Sequence, residues 1–315
     1  MHTLLPHTIS SYTIALDVGG SSVKSAAIAQ TSLQLGASDA FEVTVTAFNS
    51  QADAESIFAT FAGIIRRHLG AGGKPDGLDL RGVAVGFPGP FDYEQGICRV
   101  RGQEKFDALY DLNVRDAIRR HLNLPTLPIY FRNDADVAIT GEAVFGSGRG
   151  VARVIGVTLG TGLGASFILN GEPQAGGQGV PPNGELWAFP AFEGATAAQR
   201  ADDIYSIRGL MARLHQVDPS IADIPGAAAR AAHGEAALAG QFTAFGTALG
   251  AFLLPFVSGF GAEAVLLLGG IANAHALFLP AMEAVLPCAI IPGSLGQRAA
   301  LLGAVHLFTR WSAAG

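Results

Sequence analysis

Short apolar runs that end in glycine recur along this chain and mark its strands. Residues 13–24, TIALDVGGSSVK, read as a strand in which Ile14 and Leu16 alternate with small residues. A turn at Gly19-Gly20 follows, with a return arm over 25–29. Residues 41–45 are a predicted third strand. Ile57, Phe58, Phe61, Ile64, Ile65 and Leu69 recur at helical spacing, with Arg66-Arg67-His68 in the last turn and Gly70 and the AGGKPDG run as the stop. Residues 83–87 form a short strand entering Pro88-Gly89-Pro90, then a mixed loop, ICRVRGQEKFDALY, and a helix over 113–122. A strand at 128–131 runs into Arg132-Asn133-Asp134 and a helix over 135–144. Residues 154–159 repeat the opening theme: a strand, the turn Gly160-Thr161-Gly162-Leu163-Gly164, and a return arm over 165–169. Beyond it come a Gly- and Pro-rich loop, helices over 202–232 with a proline break, a buried strand at 264–268 ending in Gly269-Gly270, and a closing helix over 295–309.

Residues 236–262 carry no charged side chain, a length that could span a bilayer. Yet Leu238, Phe242, Phe245, Leu249, Phe252 and Phe256 recur at spacings of three and four, Ala, Gly and Thr fill the other side, and no basic flank follows. The pattern predicts a one-faced core helix and no membrane association.

The two glycine turns can be laid on each other. IALDVGGSSVKSAAI and IGVTLGTGLGASFIL match in apolar pattern and in the position of the turn, about 140 residues apart. At 315 residues the chain is long for one core, so two lobes of similar design are expected, each presenting a glycine turn to a shared cleft. A net charge of −6 supplies no basic footprint, which argues against nucleic acid as a partner. Cys98 and Cys288 are the only cysteines, too few for a disulfide framework or a multi-cysteine zinc site, and a reduced cytoplasmic setting is expected. The opening MHTLLPHTISSYTIALD lacks the basic start and long apolar stretch of a signal peptide.

A turn of this kind can hold a polyanion on its backbone N–H groups, with Ser21, Ser22 and Lys24 over it and Asp17 left for a metal ion. A single such turn is more simply an ordinary tight hairpin with an exposed lysine; two of them make sense of a nucleotide. Asp134, at a strand end and a helix start, suits either a general base or a helix cap. Asp136 lies about 200° round the helix from it and should point elsewhere.

Assembled in order, these residues resemble the ROK family of sugar kinases and sugar-responsive repressors, within the actin and hexokinase superfamily. The resemblance runs from Tyr12 through nearly the whole chain. Residues 17–24, DVGGSSVK, look like its first phosphate motif with Ser21 where Thr is usual; residues 159–164, LGTGLG, look like the second; Leu268-Gly269-Gly270 looks like the adenosine motif and Asn133-Asp134 like the catalytic dipeptide. The resemblance implies an α/β, two-lobed actin-like (ribonuclease H-like) ATPase fold with an interlobe cleft. Its N-terminal lobe would be 1–134, completed by 297–315, and its C-terminal lobe 135–296. It implies ATP- and Mg²⁺-dependent phosphorylation of a hexose hydroxyl, with Asp134 as general base, kept ionised by the positive end of its helix. Asp17 would orient Mg²⁺ through water, Gly19, Gly20 and Ser21 would hold phosphate, and Lys24 would lie either near the phosphates or on the hairpin edge. Gly160, Thr161, Gly162 and Gly164 would grip phosphate, Gly269 and Gly270 would let the backbone approach adenine and ribose, and Asn133 would meet a sugar hydroxyl.

Departures from the family fall on the sugar side. Gly184-Glu185 looks like the start of the GE-x-GH sugar motif, which makes Glu185 a sugar ligand, but Trp187 stands at the usual Gly and Ala188 at the usual His. The cysteine-rich zinc segment is missing, so no structural zinc is expected. Asp202 would replace a sugar-binding Glu, one methylene shorter, with Asp203 one register step away. Trp187, Phe189 and Phe192 are expected to pack as a local core, with a sugar-stacking wall as the alternative role of Trp187. Gln103 would replace an acceptor-loop Asn. Arg101 and Lys105 fit either solvated surface charge or an anionic acceptor. The alternative function is a non-catalytic sugar-binding regulator or a pseudokinase sensor; no DNA-binding domain is expected ahead of Tyr12. Relatives suggest a homodimer or homotetramer. Which sugar is used, and whether ATP or polyphosphate is the donor, stay open on the sequence.

Overall fold

In the computed structural model, residues 11–34, 39–69, 78–196 and 199–314 are described. The chain forms two compact units, Met1–Gly141 with Leu295–Gly315, and Glu142–Ser294.

In the first unit β1 (Ser11–Val18) and β2 (Ser22–Ala29) form the expected hairpin, followed by the short α1 (Gln30–Gln34). β3 (Thr44–Ala47), α2 (Ala54–Leu69), β4 (Asp79–Phe87), the small hairpin β5 (Phe91–Asp92) and β6 (Ile97–Cys98), α3 (Val114–Leu122), β7 (Ile129–Asn133) and α4 (Asp134–Phe145) complete its N-terminal part. The sheet order is β3-β2-β1-β4-β7, with β1, β4 and β7 parallel. The third strand lies further on than predicted. Thr44–Ala47 pairs with Ser22–Ser25, whereas Phe41 is buried outside the ladder beneath the Arg298 guanidinium, 5.9 Å from its ring centre. Gly70 and the AGGKPDG stop predicted for α2, like the first ten residues, lie outside the described residues.

The second unit repeats the design. β8 (Arg153–Leu159), β9 (Leu163–Leu169) and β10 (Glu172–Pro173) lead through α5 (Ala201–Tyr205), α6 (Ile207–Val217), α7 (Ile224–Ala232) and α8 (Ala236–Phe260) to β11 (Ala264–Leu268), α9 (Leu279–Glu283) and β12 (Ala289–Pro292). The sheet order is β10-β9-β8-β11-β12. α8 is long and apolar enough to cross a membrane, but its large residues lie on one face, where Leu238, Phe242, Phe245, Leu249 and Leu253 are buried in this unit's core. Its exposed face carries Gly240, Thr243, Ala244, Thr247 and Ala251.

α10 (Arg298–Ala314) returns to the first unit. The sequence reading divides the chain at 134/135 and 296/297; the units divide at 141/142 and 294/295. The first turns of α4 pack on α10 backbone to backbone: a Cβ on Gly141 would overlap the Ala299 carbonyl, and one on Gly303 the Val137 carbonyl. Val137, Ala300, Ala304 and Phe308 fill the space around this crossing. That packing fixes the helix on which Asp134 stands.

Candidate active site

In the first unit the β1–β2 turn is braced by backbone. Gly19 N–H donates to Ser22 O at 2.9 Å, Phe48 N–H to Ser21 O at 2.9 Å and Ser50 N–H to Gly20 O at 3.2 Å. Neither Gly19 nor Gly20 takes a left-handed φ. Space is tight only at Gly19, where a Cβ would lie 3.1 Å from Ser22 O; one on Gly20 would meet Ser50 Oγ at an ordinary 3.6 Å. Asp17 and Lys24 face each other across the hairpin, and Lys24 Nζ lies 2.7 Å from Asp17 Oδ2. Lys24 therefore engages the proposed metal carboxylate itself.

Asp134 opens α4 beside this turn. Gly86 of β4 pairs with Asp17 on one side and Arg132 on the other, and a Cβ on it would lie 2.7 Å from Val137 Cγ2 and 3.8 Å from Asp134 Cα. That close approach brings the two carboxylates into one field. A glycine inside an apolar strand signals such an approach, and Gly86 in GVAVGF is the feature the sequence reading passed over. The Asp134 carboxyl is pushed up to about 6, first by burial and then by the Asp17 charge, while the Ala135 N–H and the Lys105 ammonium pull it back. The helix N-terminus acts in the expected direction but is outweighed. At neutral pH the group is about ten to one ionised and can still accept a proton.

Asn133 caps the helix, and Asp134 Oδ1 shares the Ala135 N–H with it at 2.9 Å. Asn133 Oδ1 accepts from Ala135 N–H at 2.9 Å and Asp136 N–H at 3.3 Å, and its Nδ2 donates to Tyr93 Oη at 3.2 Å. Tyr93 in turn donates to Phe87 O at 3.0 Å. The acceptor that the sequence reading gave to a sugar hydroxyl is thus engaged by the helix, and only an amide N–H is left to offer. Asp136 is buried and paired with Arg132 at 2.7 Å, pointing elsewhere as expected.

Gln103 is exposed on the loop before Phe106. Phe106 is buried with φ of 60°, donates its N–H to Ser50 O at 2.7 Å, and stacks on Phe48 and against Phe87. Phe87 pairs with Asn133, so this loop is anchored at the Asp134 end of the sheet. Lys105 is half-buried there and acts on Asp134, whereas Arg101 lies over the Tyr110 ring at 5.1 Å.

In the second unit Gly160 N–H donates to Gly162 O at 3.1 Å, closing the β8–β9 turn, and Thr161 is exposed. Gly164 pairs with Thr158 inside the hairpin. Asp202 Oδ1 accepts from Leu163 N–H at 2.7 Å, and its Oδ2 lies 3.2 Å from Arg208 Nη2. The carboxylate read as a sugar ligand thus has two protein partners. Asp203 also meets Arg208, at 2.8 Å. Gly269 has φ of 92°, and a Cβ there would lie 2.5 Å from Leu159 O. Its missing side chain makes room for the backbone of Leu159, the last residue of β8 before the second turn, while Gly270 faces open space.

Glu185 is partly buried and accepts from the Trp187 indole N–H at 2.9 Å. The expected aromatic core of this loop is one ring strong: Phe189 packs edge-on against Phe256 at 5.3 Å, while Trp187 and Phe192 are 43% and 47% exposed. Tyr205 supplies the missing anchor, buried, with its hydroxyl 2.9 Å from Ala191 O and 3.0 Å from Ala248 O. Among the described residues no group of three or more His, Cys, Asp or Glu could hold a metal ion, and Cys98 and Cys288 are free and in different units.

The chain as a whole has known relatives. A sequence profile described as the ROK family matches residues 13–310. The chain belongs to the ROK family. Its α/β two-domain fold is the ROK, actin-like one, and it lacks an evident zinc-binding cysteine cluster. It is similar to a glucokinase from Thermotoga maritima, 30% identical over 140 residues, 40% of this chain and 43% of the relative. A xylose repressor from Bacillus subtilis is 25% identical over 242 residues, 71% of this chain and 60% of the repressor. The chain thus spans less than two thirds of the length of either. Among solved structures, a ROK family glucokinase from Streptomyces griseus in complex with glucose and AMPPNP superposes with a TM-score of 0.71 and 22% identity, covering 94% of this chain and 99% of that one.

Proposed function

We propose that this ROK protein is a kinase that transfers the γ-phosphoryl group of ATP to a hexose hydroxyl, with Asp134 as general base. The observation that carries the reading is the Asp134 carboxyl, pushed up to about 6 at the head of α4 beside the Asp17–Lys24 turn, with Asn133 taking most of the capping of the helix. In the step proposed, the acceptor oxygen bonds to the γ-phosphorus and its proton passes to Asp134. The bond to the bridging oxygen breaks, and ADP leaves with that electron pair. Asn133 and Glu185 would orient the sugar, with Gln103 near the acceptor loop. Gly19, Gly20 and Ser21 in one turn, and Gly160, Thr161 and Gly162 in the other, would each take a share of the donor phosphates.

Asp17 fits one-carboxylate binding of a hydrated Mg²⁺: Lys24 engages only Oδ2, and Oδ1 has no protein partner among the described residues. When bound, the ion would neutralise phosphate charge. We extend the proposal to a cytoplasmic setting and to self-association as a homodimer or homotetramer.

A second reading has its own support. The match to a xylose repressor, with Trp187 and Ala188 in the altered sugar loop, fits a sugar sensor without turnover. A coupled ADP-release assay over glucose, mannose, fructose, allose and the N-acetylhexosamines, with ATP and with polyphosphate, separates the two. The kinase reading expects sugar-dependent release, cut by about 100-fold or more in Asp134→Asn with the circular dichroism spectrum unchanged. Sugar binding without turnover on either donor supports the sensor.

A further inference from the structure

The second glycine turn has almost no side chains of its own to hold it. Its residues are Gly160, Thr161, Gly162, Leu163 and Gly164, and two bonds from the start of the helical region fasten it from outside. Ile207 N–H donates to Gly160 O at 2.8 Å on one arm, and Leu163 N–H donates to Asp202 Oδ1 at 2.7 Å on the other. The carboxylate lies over the turn so closely that a Cβ on Gly162 would stand 2.9 Å from Oδ1. Its second oxygen is occupied by Arg208, whose guanidinium also meets Asp203. The Asp202 backbone is tied as well, since its N–H donates to Trp187 O at 3.1 Å.

We infer that Asp202 is a positioning residue of the donor-phosphate turn, with Arg208 as its counter-ion, and not a ligand of the acceptor sugar. The inference rests on the kinase reading for what the turn holds, but the clamp itself does not. A turn of glycines has many backbone states, and one strong amide acceptor at Leu163 removes most of them before any phosphate arrives. A bare carboxylate would repel that phosphate. Arg208, shared with Asp203, offsets part of that charge while leaving the amide bond in place, so the neutral carbonyl of an asparagine should serve at least nearly as well.

The test uses Asp202→Ala, Asp202→Asn and Gly162→Ala in the full chain. Calorimetry measures binding of a non-hydrolysable ATP analogue with Mg²⁺ and, separately, of the hexose turned over by the wild type. Amide hydrogen exchange of the 159–164 segment reads the clamp without any ligand. Loss of the Leu163 acceptor in Asp202→Ala should weaken the analogue about tenfold or more and speed exchange across the turn. Gly162→Ala, which displaces the carboxylate, should do the same. Asp202→Asn should stay within about threefold of wild type, and hexose affinity within about twofold in all three. Weakened hexose binding in both Asp202 variants, with turn exchange unchanged, would overturn the inference and leave the kinase reading standing. A wild type that binds neither analogue nor polyphosphate, but whose turn exchange depends on Asp202, would overturn the kinase reading and leave the clamp.

Discussion

The two glycine turns come from matching hairpins at matching places in two sheets of the same order, yet they are built on opposite principles. Laid on each other, Asp17 corresponds to Thr158 and Lys24 to Ala165. The first turn carries its own ion pair and shares a field with Asp134, so charge is concentrated around the proposed base. The second has no ionisable residue between Leu159 and Gly164 and borrows a carboxylate from about forty residues away in the chain. A repeated fold has thus been divided by electrostatics: one turn carries its own charged side chains, and the other is held by charged side chains from outside it.

If that division is right, neutralising the two carboxylates should have unequal consequences. Asp17→Asn should lower kcat about 100-fold and raise the Mg²⁺ concentration for half-maximal rate, whereas Asp202→Asn should change either by less than about threefold; steady-state kinetics over a Mg²⁺ series reads both. Equal losses would erase the distinction. Shape should matter more in the second unit. Gly269→Ala puts a side chain at a left-handed φ and against the Leu159 backbone, and should cost about 1–3 kcal/mol in urea unfolding. Gly20→Ala, with only Ser50 Oγ at 3.6 Å, should stay within about 0.5 kcal/mol of wild type.

The strands and turns were legible because they are local: apolar alternation that breaks at glycine marks both hairpins, and the Ile57-to-Leu69 stripe marks α2. The one-faced apolar pattern likewise placed α8 in a core. What the sequence hid was long-range. Nothing near Asn133 says that Tyr93 will take its amide, and nothing near Gly269 says that Leu159 will fill its missing side chain. The family motif assigned Asp202 to sugar, and only the fold shows its oxygens on Leu163 and Arg208. Trp187 and Phe192 were expected inside because aromatic rings in such loops usually pack; Tyr205, on a helix the sequence did place, anchors the loop in their stead.

The central claim is that Asp134 is the titrating base of the first unit, with its carboxyl raised to about 6 by burial and by Asp17. Because the ionised form accepts the proton, activity should be full above that value and lost as pH falls through it. The direct measurement is a ¹³C-carboxyl NMR titration of Asp134 beside the pH dependence of kcat/KM for the hexose. Agreement of the two at about pH 6, with the NMR transition moving down in Asp17→Asn, is the predicted result. An Asp134 that titrates at the ordinary carboxylate value, or an acid limb that survives in Asp134→Asn, would contradict it.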